Sequence, residues 1–235
     1  MSDKQQILIK INYKIQKFFY LFYGEKFFKK KIYDWKLFPK RYEIIQKIID
    51  LKRYNSYLEI GCDRNQSFSN IKINRKTGVD PDEGGTHKMT SDEFFSINKS
   101  KFDIIFIDGF HEYFQVMRDI ENSLEYLNPD GVILLHDCLP GSIWNQITPR
   151  INTAWNGDVW KSIVHCRTKP QIDTYTLIAD RGIGIIFPKK NNNQLVLDPN
   201  LDFKKLKYKD YYDNHSKFMN LISSDDDSLA KLFRK

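Results

Sequence analysis

Two continuous apolar runs, each closed by polar residues, constrain this chain more than any other feature. FDIIFID ends at Asp108, and GVILLHD ends at His136 and Asp137. Runs this short and this apolar are typical of parallel strands that are buried on both faces of a sheet. A helical pattern over 113–126 lies between them, so the chain predicts an α/β domain in which both polar strand ends open on the same edge of the sheet.

Four further runs extend this alternation. They read YLEI, TGVD, TYTLIAD and GIGIIFP, and a helix over 42–51 precedes the first of them, at 56–60. The last two runs are separated only by a short turn around Asp180 and Arg181, which favours an antiparallel hairpin. We therefore expect a mostly parallel sheet that is closed by an antiparallel hairpin.

The composition divides the chain into three parts. Residues 1–40 are basic and aromatic with helical spacing, and they predict one or two amphipathic helices broken near Gly24. This N-terminal helical extension is interpreted as a cap on the domain or a dimer contact, and alternatively as a membrane-surface or nucleic-acid-binding arm. Residues 41–190 contain all six strand candidates, and residues 191–235 form a polar tail with one helix near its end.

Charge and cysteine content narrow the class of protein. The formal net charge of +7 suits an anionic partner, and it equally suits a lysine-rich surface that keeps the chain in solution. The three cysteines lack C-x-x-C spacing, which argues against a disulfide framework or a zinc site and leads us to expect a cytoplasmic protein. The apolar run at 18–23 is far shorter than the roughly 20 residues of a membrane span. We expect no transmembrane segment, and a homo-oligomer is compatible with the sequence.

The segment YLEIGCDRNQSF contains the strongest local motif. A strand ends at Glu59, and Gly61 allows close backbone approach to a ligand at the strand end. The next strand ends at Asp80, where an acid is suited to bind a ribose diol. The dinucleotide fingerprint G-x-G-x-x-G does not occur here, and Asp63 at the second glycine position would repel a pyrophosphate. S-adenosylmethionine, which has no phosphate and carries a cationic centre, fits this pattern better than NAD.

Four polar residues are expected to converge at the adjacent strand ends. Asp108 and His111 follow one buried strand, and His136 and Asp137 end the next. Two carboxylates and two imidazoles are suited to a divalent metal site or to an acid–base pair. Alternatively, they are structural residues of the sheet edge.

The series LEIG, GVDP, SDEFF, IDGFHEY and LLHDC, in this order, resembles class I S-adenosylmethionine-dependent methyltransferases over about residues 45–188. It is most similar to the branch with D-G-x-H-x-Y after the fourth strand and H-D after the fifth, which includes many small-molecule and sugar O-methyltransferases. The resemblance implies a three-layer Rossmann-like fold. Its sheet is mostly parallel and seven-stranded, with a reversed last strand.

The resemblance also implies individual roles. An acid at the position of Asp108, with an acid pair in place of His136 and Asp137, binds Mg²⁺ in some relatives. In this chain the first residue of that pair is His136. A histidine at this position weakens the case for Mg²⁺ at Asp108 and Asp137, because Mg²⁺ prefers oxygen ligands. His111 becomes the first candidate for the general base and His136 the second. The implied cofactor-binding residues are Glu59, Gly61, Asp63 and Ser67 at the methionine part, Asp80 at the ribose, Thr90, Ser91 and Asp92 at the adenine, and Asp108 at the methionine ammonium.

In this fold, the stretch over 146–167 commonly helps to form the acceptor pocket. Its aromatic residues are expected to stack on a sugar or base ring, and its basic residues are expected to bind a phosphate or carboxylate. Alternatively, this stretch is a helix whose tryptophans enter the core. We expect methyl transfer to a hydroxyl of a small molecule, a sugar or sugar-containing glycan precursor. An RNA methyltransferase, an NAD-dependent Rossmann enzyme and a non-catalytic S-adenosylmethionine-binding protein are the alternatives. The candidate substrate-binding residues are Arg150, Trp155, Trp160, Lys161 and Arg167.

Overall fold

The computed structural model describes residues 3–234. Met1 and Ser2 of the expected N-terminal extension and Lys235 of the expected tail lie outside the described residues. The helices are α1 (Asp3–Tyr23), α2 (Arg41–Lys52), α3 (Gln66–Asn70), α4 (Ser91–Ile97), α5 (Tyr113–Glu125), α6 (Ile143–Gln146), α7 (Trp160–Thr168), α8 (Tyr208–Asp213), α9 (His215–Met219) and α10 (Asp226–Phe233). The strands are β1 (Ser56–Ile60), β2 (Arg75–Val79), β3 (Phe102–Ile107), β4 (Leu127–Leu135), β5 (Asp173–Leu177), β6 (Ile183–Phe187) and β7 (Leu221–Ile222).

These strands form one sheet in the order β2-β1-β3-β4-β6-β5-β7. Every neighbouring pair is parallel except at β6, which runs antiparallel to both β4 and β5. The expected mostly parallel, seven-stranded sheet is confirmed, and its reversed strand is β6, the last of the six strands that the sequence indicated. The sequence indicated only six of the seven strands. The additional strand is β7, two residues of the tail that pair with β5 at the edge of the sheet.

Helices cover both faces of the sheet because its central strands are apolar on both sides. In β3, Ile105 and Ile107 face a core that includes side chains of α4, α5, α7, α8 and α9. Ile104 and Phe106 of the same strand face a second core with α2, α3 and α10. The expected three-layer arrangement is therefore confirmed.

The N-terminal extension contains one long helix. It ends at Tyr23, and the backbone N–H of Gly24 donates to the carbonyl of Tyr20 (2.7 Å), so the predicted break near Gly24 is the helix end. The chain then lies against the domain, where the N–H of Lys31 donates to the carbonyl of Gly141 (3.0 Å). A single turn of 3-10 helix at Trp35–Leu37 precedes α2.

The C-terminal tail is more structured than the single expected helix. It forms α8, α9, β7 and α10 and supplies buried side chains to both cores. Tyr208 and Tyr211 are fully buried in the first core, and Leu229 and Phe233 are buried in the second. The proposed domain boundaries at 40 and 190 stay predictions.

Two absences concern the part of the chain that the structure describes. Within residues 3–234, no helix combines the length and the apolar character needed to cross a membrane. The three cysteines, Cys62, Cys138 and Cys166, are free and buried. Their lack of pairing agrees with the spacing in the sequence.

Candidate active site

Four strands bring polar side chains to one edge of the sheet. Because β1 to β4 run parallel, their carboxyl ends lie together. Backbone hydrogen bonds continue past the strand ends: the N–H of Asp108 donates to Ile60 (2.8 Å) and that of His136 donates to Ile107 (3.0 Å). The strand order also changes direction between β1 and β3, and open α/β sheets bind ligands in the crevice at such a point.

A cavity of about 490 Å³ opens in this crevice, and we call it the first cavity. Its volume lies within the range of roughly 300–1,000 Å³ that is usual for small-molecule sites. It is formed by the segments that follow β1, β2 and β3 together with the N-terminal end of α4. Seven of the residues expected at the cofactor line it: Gly61, Asp63, Asp80, Thr90, Ser91, Asp92 and Asp108.

Gly61 allows the segments after β1 and β3 to approach each other. Its φ is +85°, which L side chains rarely adopt, and a Cβ at this position would lie 2.3 Å from the carbonyl oxygen of Asp108. The glycine that the sequence suggested for ligand access is thus also required by the close contact of two backbones. Both residues line the first cavity, so its shape depends on this contact.

Asp80 is fixed as an ionised acceptor at the end of β2. Its carboxylate accepts the backbone N–H groups of Asp63 (2.8 Å), Asp82 and Glu83 (both 2.9 Å). Burial raises its pKa, but these hydrogen bonds outweigh burial and lower the pKa below its usual value. A carboxylate held in this way is suited to accept hydrogen bonds from a ribose diol.

Two of the expected cofactor residues do not line the first cavity. Glu59 is 1% exposed and accepts a hydrogen bond from the hydroxyl of Tyr57. Burial raises the pKa of Glu59 to about 8, so the carboxyl group is mostly neutral at pH 7. Ser67 is buried on α3, and its hydroxyl has no hydrogen-bond partner within the described residues.

Asp108 stands at the centre of a cluster of charged groups. Its Oδ1 lies 3.0 Å from Nδ1 of His136 and 3.3 Å from Nε2 of His111, and its Oδ2 lies 3.3 Å from Nε of Arg41. The other ring nitrogen of His111 lies 3.4 Å from Oδ2 of Asp137. The structure thus brings together the four residues that the two polar strand ends predicted.

The ion pairs decide the protonation of the cluster. Burial lowers the pKa of His136, but Asp108 and Asp137 outweigh burial and raise it to about 9. The pKa of His111 is raised for the same reason, by its hydrogen bond to Asp108 and the charge of Asp137. Burial raises the pKa of Asp108, but the two imidazoles hold it well below its usual range. At neutral pH, His136 is therefore an imidazolium beside a carboxylate.

Three residues that the sequence did not indicate complete the cluster. Asp180 accepts both the backbone N–H of Arg41 (2.9 Å) and its guanidinium (3.3 Å). Arg181 places its guanidinium 3.8 Å from Asp137. One local signal could have indicated Arg41, since a cation in the first turn of a helix opposes the helix dipole and favours a compensating acid nearby.

A second cavity of about 380 Å³ shares Asp108 with the first. Its lining is mostly polar and combines basic with acidic side chains. It lies between the N-terminal end of α2, the end of β4 and the turn between β5 and β6. Besides Asp108, its charged lining residues are Lys40, Arg41, His136, Asp137, Asp180 and Arg181.

Three of these residues have a left-handed backbone. The φ angles are +59° at Asp137, +32° at Asp180 and +66° at Arg181. Residues other than glycine adopt this region at a cost of about 1–3 kcal/mol each, and such residues concentrate at functional sites. At all three positions, the backbone directs a charged side chain toward the second cavity or its rim.

The connection after β4 fixes His111 from the outside. The ring of Trp155 stacks on His111, with centroids 5.4 Å apart and an interplanar angle of 24°, and Arg150 lies 5.9 Å from the ring of Trp155. Asn156 donates to the carboxylate of Asp137 (2.9 Å), and the N–H of Asp158 donates to the carbonyl of His111 (3.2 Å). Trp155 and Arg150 therefore lie beside the cluster, and their contact with the acceptor stays a prediction.

The other three candidates for acceptor binding lie elsewhere. Trp160 is fully buried in the first core and donates its indole N–H to Gln146 (3.1 Å). Lys161 is 7% exposed and pairs with Asp158, and the guanidinium of Arg167 donates to backbone carbonyls, including that of Asn193 (2.8 Å). Trp160, Lys161 and Arg167 do not line the second cavity, and substrate binding by them stays a prediction. These side chains are buried and already hydrogen-bonded, because α7 packs into the domain on all sides.

A known protein family matches the segment that contains β1 to β4. Residues 44–138 match the family model described as a methyltransferase domain. Among solved structures, a methyltransferase of Podospora anserina with bound SAH is 15% identical, with 68% of this chain and 83% of that chain covered and a TM-score of 0.48. An O-methyltransferase from Bacillus cereus in complex with SAH is 14% identical, with 63% and 80% covered and a TM-score of 0.47.

The O-methyltransferase TomG from Streptomyces achromogenes, which is involved in tomaymycin synthesis and was solved with SAM, is 12% identical to this chain. The alignment covers 62% of this chain and 78% of that chain, with a TM-score of 0.46. None of the curated proteins matches.

Proposed function

We propose that this chain, a class I methyltransferase with its methyltransferase domain over residues 44–138, takes a methyl group from S-adenosylmethionine and transfers it to a hydroxyl of a small polar acceptor. In this proposal, the cofactor occupies the first cavity and the acceptor occupies the second. Asp108, which lines both cavities, marks the place where the two molecules meet.

The charge of the first cavity is the observation that carries the cofactor assignment. Five aspartates are among the described residues that line it, and none of these residues is a lysine or an arginine. Such a surface attracts the sulfonium and ammonium groups of S-adenosylmethionine and repels a pyrophosphate. The same charge argues against an NAD-dependent enzyme.

The lining of the second cavity supports a polar acceptor that carries an anionic group. Lys40, Arg41 and Arg181 supply cationic donors, and guanidinium groups bind carboxylates and phosphates through paired hydrogen bonds. The mostly polar surface suits a compound with several hydroxyl groups. We therefore propose a sugar, or a sugar-containing glycan precursor, with a phosphate or carboxylate group.

The proposed mechanism uses the two histidines differently. S-adenosylmethionine supplies an electrophilic methyl group on a sulfonium centre. His136, a protonated group in the wall of the second cavity, donates a hydrogen bond to the attacking oxygen and favours loss of its proton. His111 does not line the second cavity but contacts Asp108 and Asp137, which do; its side chain is 17% exposed, against 5% for His136, and in this proposal it accepts that proton on a ring nitrogen when neutral. Holding both partners in line supplies much of the acceleration.

The cluster does not fit Mg²⁺. Ligand atoms of Asp108, His111 and Asp137 lie within 4.8 Å of one another, which is the spacing of a metal site. However, Arg41 already lies against Asp108 and Arg181 near Asp137, with the His136 imidazolium between the two carboxylates. A nitrogen ligand and this surrounding positive charge both disfavour a hard dication. We therefore assign no step to a metal and give its electrostatic role to His136 and Arg41.

Ligand titration tests which cofactor the protein binds. In isothermal calorimetry, S-adenosylhomocysteine should bind, whereas NADH should not. Asp80→Asn should weaken S-adenosylhomocysteine about 10- to 100-fold, because the ribose loses a charged acceptor. The exposed Asp198→Asn serves as the matched control and should leave affinity unchanged. Binding of NADH in place of S-adenosylhomocysteine would contradict the proposal.

An acceptor panel then separates an enzyme from a binding protein. Release of S-adenosylhomocysteine from S-adenosylmethionine is measured with free hexoses, hexose 1-phosphates and a short RNA. Turnover with a hexose phosphate is the expected result. Turnover with RNA alone would replace the sugar by a nucleic-acid acceptor, and tight cofactor binding without turnover on an extended panel would favour a non-catalytic protein.

Chelation tests the absence of a metal step. Treatment with EDTA followed by gel filtration should leave the rate of methyl transfer within about twofold of the untreated enzyme, because His136 and Arg41 already supply positive charge at the cluster. Addition of Mg²⁺ or Mn²⁺ to the treated enzyme should have no effect. Loss of activity on chelation and its recovery with either ion would overturn the metal-free mechanism.

A further inference from the structure

The outward face of α1 is apolar although it is exposed. Six large side chains on this face are between 49% and 64% exposed: Leu8, Ile11, Ile15, Phe18, Phe19 and Phe22. With 3.6 residues per turn, these positions fall within an arc of about 100° around the helix axis. A contiguous apolar surface of this kind marks a site of interaction rather than an ordinary protein surface.

The opposite face of α1 already holds the helix against the domain. Tyr13 and Tyr20 pack on the first core, and the ring of Tyr20 lies 5.7 Å from that of Trp144. The amine of Lys17 donates to the side chain of Asn152 (3.2 Å). The domain therefore uses one face of α1 and leaves the apolar arc for another partner.

Charge is concentrated in the same segment. Residues 1–40 contain ten lysines and three acidic residues, so they account for the whole formal net charge of +7, and residues 41–235 carry 27 basic and 27 acidic side chains. Lys10 and Lys14 are exposed beside the apolar arc. Glu25 is not available to offset them, because it accepts the backbone N–H groups that begin α8.

We propose that α1 lies in the surface of an anionic phospholipid bilayer, with its apolar arc toward the acyl chains and its lysines among the headgroups. Among candidate partners, a bilayer of this kind combines an apolar interior with a negative surface, which is the pattern that interfacial amphipathic helices recognise. A second copy of the chain would oppose like charges across the contact. RNA would pair with the lysines but leave the aliphatic side chains of the arc, Leu8, Ile11 and Ile15, in water.

Vesicle binding by the full chain tests the proposal. Sedimentation with phosphatidylcholine vesicles that contain phosphatidylglycerol should capture the protein, and pure phosphatidylcholine should capture at least tenfold less. Lys10→Gln combined with Lys14→Gln should weaken binding to the anionic vesicles about tenfold or more, since each lysine near such a surface adds about 1 kcal/mol. Phe18→Ser combined with Phe22→Ser should weaken it by a similar or larger factor.

The matched controls change the same residue types elsewhere. Val196→Ser removes an exposed apolar side chain outside α1, and Lys99→Gln combined with Lys101→Gln removes two exposed charges. These controls should bind vesicles like the unchanged protein. All these substitutions are at exposed positions, and circular dichroism confirms that each variant is folded.

Three results would overturn the proposal. The first is no capture by the anionic vesicles. The second is a dimer, seen by light scattering, that Phe18→Ser with Phe22→Ser dissociates while vesicle binding is absent. The third is binding to single-stranded RNA that requires Lys10 and Lys14 while vesicle binding is absent. The test measures binding alone, so its outcome is independent of the proposed reaction.

Discussion

Replacing His111 with alanine should lower kcat/KM by about 100- to 10,000-fold, which is the usual contribution of a general base. The variant loses the one imidazole of the cluster that we propose to accept a proton. Affinity for S-adenosylhomocysteine should change little, because His111 is not among the residues that line the first cavity. Turnover and cofactor binding are therefore measured side by side.

The pH dependence of turnover tests the same role of His111, and its direction can be predicted. Because Asp108 and Asp137 raise the pKa of His111 above its ordinary value of about 6.5, the neutral base becomes available only as pH rises. Turnover should therefore increase with pH on a limb that lies above pH 6.5, and Asp137→Asn should move this limb to lower pH. His165→Asn, at a histidine that is not paired with Asp108 or Asp137, should keep the unchanged profile. Full turnover of His111→Ala at every pH would remove His111 as the base.

Asp108→Asn should lower the free energy of unfolding by about 3–5 kcal/mol, which is the largest stability change that we predict for this protein. The substitution leaves Arg41 and His136 in the interior without their shared carboxylate, and an unpaired buried charge is more costly than a missing pair. Urea denaturation at pH 7 measures the loss. Asp226→Asn breaks a solvent-exposed ion pair with Lys47 and should cost less than about 1 kcal/mol.

The difference between Asp108→Asn and the unchanged protein should itself depend on pH. The folded-state pKa of His136 is raised to about 9, so its stabilisation is complete below about pH 6.5 and is lost as pH rises through about 9. The pKa of Asp108 is lowered, so its stabilisation is present above about pH 4 and is lost in more acidic solution. The two proteins should therefore differ most between about pH 4 and 6.5, and the difference should shrink as pH rises toward 9. A difference that stays constant up to pH 10 would contradict the ion-pair account.

Much of the site could be predicted because short stretches of sequence hold it. Asp108 and His111 follow one strand, and His136 and Asp137 end the neighbouring one, so strand order alone brings them together. The acids that line the first cavity also lie directly after strands or at the start of α4. Parallel strand ends share one edge of the sheet, and this is a property of the fold class that the apolar runs already indicate.

Arg41 and Asp180 could not be placed in this way. They come from the start of α2 and from a hairpin turn, and they meet only because the sheet and a helix pack in three dimensions. The burial of Trp160 could not be predicted for a related reason. A tryptophan at helical spacing fits a core or a ligand-binding surface equally well, and only its neighbours in the fold distinguish the two. The helices α8 and α9 are only six and five residues long, which is too short for periodicity to reveal.

The left-handed backbone at Arg181 sets heat resistance against activity. Glycine adopts this φ angle without a steric penalty, and the side chain of Arg181 is 41% exposed, so glycine at this position relieves backbone strain while it removes a cation from the second cavity. Glycine at Asp137 or Asp180 would relieve the same kind of strain but leave buried cations unpaired. A library of variants selected only for survival at high temperature should therefore accumulate glycine at Arg181 and lose methyl transfer, so improvement of this enzyme has to select for both properties together.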